Sequence, residues 1–245
     1  MKALRRRRRA ERQRRSRRAK LVVALDVDSL QEAKTLVDRL YPATKIFKIG
    51  SQLFTQAGPE AVSMVHKKGA EVFLDLKFHD IPNTVAGAVK RACAMRVFIT
   101  NLHASGGAAM MKAAVKARGK SRTPLLLAVT VLTSMDKKEL CAIGISRTPL
   151  AQVKRLALLA KRCGMDGVVC SGREIDVVRK LCGKDFIVLT PGIRVAENAN
   201  AQDQKRIMTP AVAAKKSSDY IVVGRPITKA KNPLAVAKKI LQDIK

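Results

Sequence analysis

Asp75, Lys77 and Asp80 crowd one short apolar stretch, LDLKFHDIPNTV at residues 74–85. Charged side chains set among Leu74, Leu76, Phe78 and Ile81 are costly unless they are paired or used. In an extended strand successive side chains alternate between faces, so Asp75 and Lys77 share one side and Leu74, Leu76 and Phe78 take the other. A lysine held between two carboxylates is an ammonium fixed in place. His79 and His103 read as packed or supporting residues rather than proton carriers, and His66 reads as surface.

The elements that must position these residues follow from the hydrophobic pattern. Eight short runs read as strands: residues 21–27, 45–50, 71–77, 97–104, 124–132, 166–171, 186–192 and 219–224. They are nearly continuous in apolar residues, as strands covered on both faces must be. Amphipathic stretches lie between them, and several start at Ser, Thr or Pro and stop at Gly, as helix caps predict. Eight strand and helix alternations in one domain, residues 21–245, predict an α/β fold of the (β/α)8 TIM-barrel type. An open doubly wound sheet would need a Gly-rich nucleotide loop after an early strand, and LVVALDVDS has none. A barrel should gather its polar residues where strands end. Asp26, Lys48, Asp75, Lys77, Asp80, His103, Thr133, Ser134, Arg194 and Arg225 all fall there.

The strand-7 and strand-8 ends, PGIR (191–194) and VGRP (223–226), stand where barrels commonly hold a phosphate through backbone N–H groups. Arg194 and Arg225 would add charged donors, and residues 195–209 read as a lid. The expected ligand is a phosphorylated small molecule.

The chain of 245 residues carries a formal net charge of +30. Residues 2–20 alone hold twelve Lys and Arg and a single acid, Glu11. So charged a segment buries too little apolar surface to fold alone, so residues 1–20 read as a disordered arginine-rich tail that attracts RNA or another polyanion. No apolar run spans a membrane and no secretory pattern is present, so a soluble cytoplasmic protein is expected. Five cysteines without metal or paired spacing read as buried thiols in a reducing compartment.

Taken in order, ALD, KIG, LDLKFHDIPNTV, NLHASGG, LTS, DGVVCS, TPGIR, DQKRIMTP and DYIVVGRPIT resemble the orotidine 5'-phosphate decarboxylase family over residues 21–245. The resemblance implies a barrel homodimer that needs no metal or organic cofactor and converts orotidine monophosphate to UMP. It implies that Lys77 protonates C6, that Asp75 lies beside the departing carboxylate and that Lys48 completes the charge network. Asp80 and Thr84, with Ile81 between them, would serve the neighbouring subunit's site. Asp26 would bind ribose hydroxyls, Thr133 and Ser134 would lie near the pyrimidine, and Pro191, Arg194, Gln204, Gly224 and Arg225 would line the phosphate side. One departure is AMR at residues 94–96, where a glycine is expected before strand 4. Two other readings are a relative using a similar DxKxxD with magnesium on sugar phosphates, and a barrel scaffold whose tail binds RNA.

Overall fold

The computed structural model describes residues 18–194 and 208–245. Eight parallel strands close in sequence order: β1 (Lys20–Ala24), β2 (Ile46–Gly50), β3 (Glu71–Phe78), β4 (Ile99–His103), β5 (Leu125–Val129), β6 (Gly167–Val169), β7 (Ile187–Thr190) and β8 (Tyr220–Val223), with β8 pairing back to β1. This is the (β/α)8 barrel that the alternation predicts. Outside it lie α1 (Leu30–Leu40), α2 (Ser51–Ala57), α3 (Pro59–Lys67), α4 (Pro82–Ala94), α5 (Gly107–Arg118), α6 (Lys137–Ala142), α7 (Pro149–Arg162), α8 (Ile175–Cys182), α9 (Pro210–Lys215), α10 (Arg225–Thr228) and α11 (Pro233–Asp243). Side-chain caps start many of them: Ser29 accepts from the Glu32 N–H, Thr148 from Ala151, Thr209 from Val212 and Asn232 from Ala235. The short helices α2, α6 and α10 are additions to the elements expected from periodicity. Among the described residues no helix is long and apolar enough to cross a membrane.

Period-two alternation sorts each strand into two cores. Outward residues pack under the helices, and a separate inner cluster fills the barrel with Val22, Ala24, Ile46, Phe73, Ile99, Leu127, Val129, Val169, Leu189, Tyr220 and Val222. One further step of two along four strands turns this apolar filling polar. Ala24 leads to Asp26, Ile46 to Lys48, Phe73 to Asp75 and Ile99 to Asn101. The mouth of the barrel therefore carries charge because the inward alternation continues past the apolar residues, within β2, β3 and β4 and just beyond the end of β1.

At the opposite end, carboxylates tie the strand starts together. Asp166 accepts from the Leu126 N–H at 2.7 Å and pairs with Arg118. Asp219 accepts from the Val188 N–H at 2.7 Å and from Arg179 Nη2 at 2.6 Å. β1 begins one residue before the expected run, and Ala19 ahead of it is already buried. The cysteines correct one expectation. Cys163, Cys170 and Cys182 are buried, but Cys93 is half-buried and Cys141 is exposed.

Several helix-to-strand turns at this end use left-handed backbone. Gly69, Gly119, Gly164 and Gly183 have φ between 71 and 83°. Before β4 the same conformation falls on Arg96, with φ 54°, the position in AMR where a glycine is expected. A Cβ there costs about 1–2 kcal/mol. Arg96→Gly should therefore raise the denaturation free energy by about 1 kcal/mol, read from urea melts of both proteins.

Candidate active site

A cavity of about 280 Å³ opens at the mouth. Asp26, Lys48, Asp75, Lys77, Thr133, Pro191, Arg194, Gly224 and Arg225 line it, with Phe73, Val129, Leu189 and Val222 as its apolar floor. At its centre Asp75, only 7% exposed, lies between two ammonium groups. Lys77 Nζ is 2.8 Å from Asp75 Oδ1 and Lys48 Nζ is 3.3 Å from Oδ2. Lys48 also reaches Asp26 Oδ1 at 2.8 Å. The charges thus alternate Asp26, Lys48, Asp75, Lys77 from β1 across to β3. Burial works most strongly against the Lys48 charge, but the Asp75 and Asp26 carboxylates outweigh it and leave its pKa raised. The Lys48 ammonium is therefore stable throughout the neutral range.

Local geometry makes room for this array. Gly50 ends β2 beside Asp75, and a Cβ there would lie 2.9 Å from Lys48 Nζ and 3.2 Å from Asp26 Oδ1. β3 departs from the strict alternation expected of it. Between the pairs Leu74·Thr100 and Phe78·Leu102, β3 advances four residues while β4 advances two. Within this bulge Lys77 takes a left-handed φ of 49°. Bulges re-aim side chains, and strained backbone of this kind collects at functional sites.

Asn101, fully buried on β4, holds the bulge from both sides. Its Oδ1 accepts from the Lys77 backbone N–H at 2.8 Å, and its Nδ2 donates to Asp75 Oδ1 at 2.7 Å. The residue-type reading of strand ends missed it because an amide carries no charge. The two-residue step from Ile99 through Asn101 to His103 was the signal that could have found it.

The other expected residues divide into groups. Ser134 is exposed and lies outside the cavity lining, unlike Thr133. Asp80, Ile81 and Thr84 are exposed just beyond β3, with Ile81 67% exposed. The Asp80 carboxylate accepts from the Ile81 N–H at 2.6 Å, and among the described residues it forms no ion pair with Lys77. His103 and His79 stack with centroids 5.3 Å apart. Burial first, then the neighbouring His79 and Lys77, lowers the His103 pKa, so its imidazole is neutral at pH 7.

At the β7 side of the mouth, Gly192 has φ 76° in the turn that follows the strand. Arg194 N–H donates to the Met208 carbonyl at 2.9 Å, and Met208 N–H donates to Gly192 at 3.2 Å, closing the base of the segment between them. Among the described residues no acceptor reaches the buried Arg194 Nε. Gln204 and most of the expected lid, residues 195–207, lie outside the described residues.

A closed β/α barrel with an alternating ammonium and carboxylate array at the C-terminal ends of its strands defines the class, a barrel enzyme with a charged mouth. Residues 19–240 match the family described as Orotidine 5'-phosphate decarboxylase / HUMPS family. The chain belongs to that family. An orotidine 5'-phosphate decarboxylase of Actinobacillus pleuropneumoniae serotype 5b is 51% identical over 229 residues, covering 92% of this chain and 99% of that one. One from Moorella thermoacetica is 49% identical over 232 residues, covering 92% of each. The crystal structure of orotidine 5'-phosphate decarboxylase from Lactobacillus acidophilus superposes with a TM-score of 0.81 at 35% identity, covering 93% of this chain and 99% of that one.

Replacing Asn101 by Ala should leave Asp75 one donor short and free the Lys77 N–H. The expected loss is about 1–3 kcal/mol in urea melts. A structure of the variant should show Lys77 relaxed out of the left-handed region; an unchanged φ there would mean that Asn101 does not hold the bulge.

Proposed function

We infer that the protein is a lyase that decarboxylates orotidine 5'-phosphate to UMP, a step of pyrimidine biosynthesis. The observation that carries the mechanism is Asp75 fixed between Lys48 and Lys77 at the mouth of the barrel. Loss of CO2 breaks the bond to C6 and leaves its electron pair in the ring plane, where the π system cannot spread it. An ammonium already aimed at C6 stabilises that pair as it forms, then transfers a proton to it. Lys77 takes this role. Solvent returns the proton to Lys77 after the product leaves.

Asp75 fixes Lys77 and lies beside the substrate carboxylate, a repulsive contact that ends when neutral CO2 departs. Most of the rate effect is assigned to electrostatic stabilisation of the transition state. Lys48 holds Asp75 and reaches Asp26, which is placed to take the ribose hydroxyls. Thr133 faces the pyrimidine, with Ser134 next to it in the loop. Arg194, Gly224 and Arg225, beside Pro191, bind the phosphate, and Gln204 joins them from the lid. Binding energy gathered at that remote group holds the ring in place against the repulsion.

A homodimer completes the site. Asp80, Ile81 and Thr84 stand exposed at the edge of the mouth, and an Ile 67% exposed beside a catalytic array favours burial against a second subunit. Asp80 then approaches the partner's Lys77 as its second carboxylate. No metal or organic cofactor is required, since the pocket carboxylates Asp26 and Asp75 are each held by an ammonium. The reducing cytoplasm suits the free thiols. The arginine-rich segment of residues 2–20 adds a polyanion as a second partner.

Purified protein with EDTA should deplete orotidine monophosphate absorbance and form UMP, and Lys77→Ala should lose turnover by several orders of magnitude while melting normally. Activity that EDTA abolishes would favour the magnesium-dependent relative instead. Mixing inactive Lys77→Ala and Asp80→Ala subunits should restore one working site per mixed dimer, detected as recovered turnover. No recovery, with mixed dimers verified by mass, would remove the shared site.

A further inference from the structure

The end of the barrel opposite the mouth carries a charge pattern that the reaction does not use. Three consecutive helix-to-strand turns, RACAMR (91–96), KARGKSR (116–122) and KRCGMD (161–166), hold eight basic residues and one acid. Seven of the eight are exposed. The acid, Asp166, is engaged by Arg118, the half-buried eighth, and by the Leu126 N–H. Nothing in these turns therefore offsets the exposed cations. The turns are neighbours, because the strands they feed, β4, β5 and β6, pair side by side. With helices packed about 8–10 Å apart, the arc extends roughly 16–20 Å.

Cations at helix C-termini are ordinary, since they complement the helix dipole. That explanation reaches the last turn of a helix and stops there. Lys120 and Arg122 stand beyond the end of α5, and Arg96 stands beyond the end of α4. Arg96 is further marked because it keeps a left-handed backbone that four sibling turns assign to glycine and only the turn before β8, at Ser217, also gives to a residue with a side chain. A strained position that adds one more exposed cation to a cationic arc favours a role for the charge.

We propose that this face of the barrel is a nucleic-acid docking surface that grips the phosphate backbone. The length of the arc faces on the order of ten phosphates of a duplex. A membrane surface fits less well, because docking at a bilayer uses apolar side chains beside the cations. The large exposed apolar residues, Ile81, Leu132, Ile143, Leu150 and Val212, all lie outside these turns. The chain also enters β1 at this end through Arg18 and Lys20, so the arginine-rich segment is tethered to the same face. The surface stands apart from the mouth, and the proposal is independent of the reaction.

The full chain is titrated against a fluorescent 20-nucleotide RNA and a 20-base-pair DNA across salt concentrations, beside two triple variants of equal charge change. One reverses the arc, Lys120→Glu, Arg122→Glu and Lys161→Glu. The other reverses three mid-helix lysines, Lys34→Glu, Lys90→Glu and Lys154→Glu. Unchanged turnover and melting show that both are folded. The arc variant should weaken binding at least tenfold near 0.1 M salt and lower the slope of log affinity against log salt by about two to three, and the mid-helix variant should weaken it less than threefold. The proposal is overturned if the arc variant binds like wild type, if both variants weaken equally, or if neither nucleic acid binds. Tight binding to vesicles of anionic phospholipid that the nucleic acids fail to displace would overturn it in favour of a membrane.

Discussion

The carboxylate of Asp75 is the constraint around which the mouth is built. A buried charge is tolerated only when partners surround it, and here two ammonium groups and an amide do so. Each partner comes from a different place in the sheet: Lys48 from β2, Lys77 from two residues along β3, Asn101 from β4. The β2–β3 register sets Gly50 opposite Asp75, where the absence of a side chain leaves the Lys48 ammonium its space. The bulge in β3 is the complement of that arrangement. Regular pleating alone would not give Lys77 its left-handed backbone, and the Asn101 side chain compensates by bonding the strained residue and the carboxylate at once.

Much of this was legible in the sequence because strand burial and strand spacing are strong, local signals. All eight strands are where the apolar runs place them, and Asp75 and Lys77, which a period of two sets on one side of strand 3, both line the cavity. The misses have physical causes. Helices α2, α6 and α10 have seven residues or fewer, too short to show a periodic face, although Asp136 and Glu139 spell the capping box that opens α6. The bulge was hidden because nothing in LDLKFHD distinguishes a regular strand from one that slips against its neighbour. Asn101 was hidden because its role depends on two partners separated from it by more than twenty residues. Ser134, which the resemblance places near the pyrimidine with Thr133, is exposed in the loop after β5.

The two ends of the barrel divide their labour, as this architecture commonly does. At the mouth the acids pair with lysines that line the cavity. At the other end Asp166 and Asp219 spend their charge on strand N–H groups and on arginines, fastening β5 to β6 and β7 to β8. Acids used in that way cannot neutralise the cations around them, which is why a strongly basic chain shows its excess so unevenly.

Arg18 and Lys245 line one groove at this second end, together with Pro42 and Leu241. Residues 18 and 245 are thus neighbours, and a short linker could join them without crossing the mouth. The barrel is accordingly suited to circular permutation, with new termini opened in an exposed turn such as residues 119–123. A partner domain joined at residue 18 or residue 245 would hang on the side away from the mouth and leave it clear.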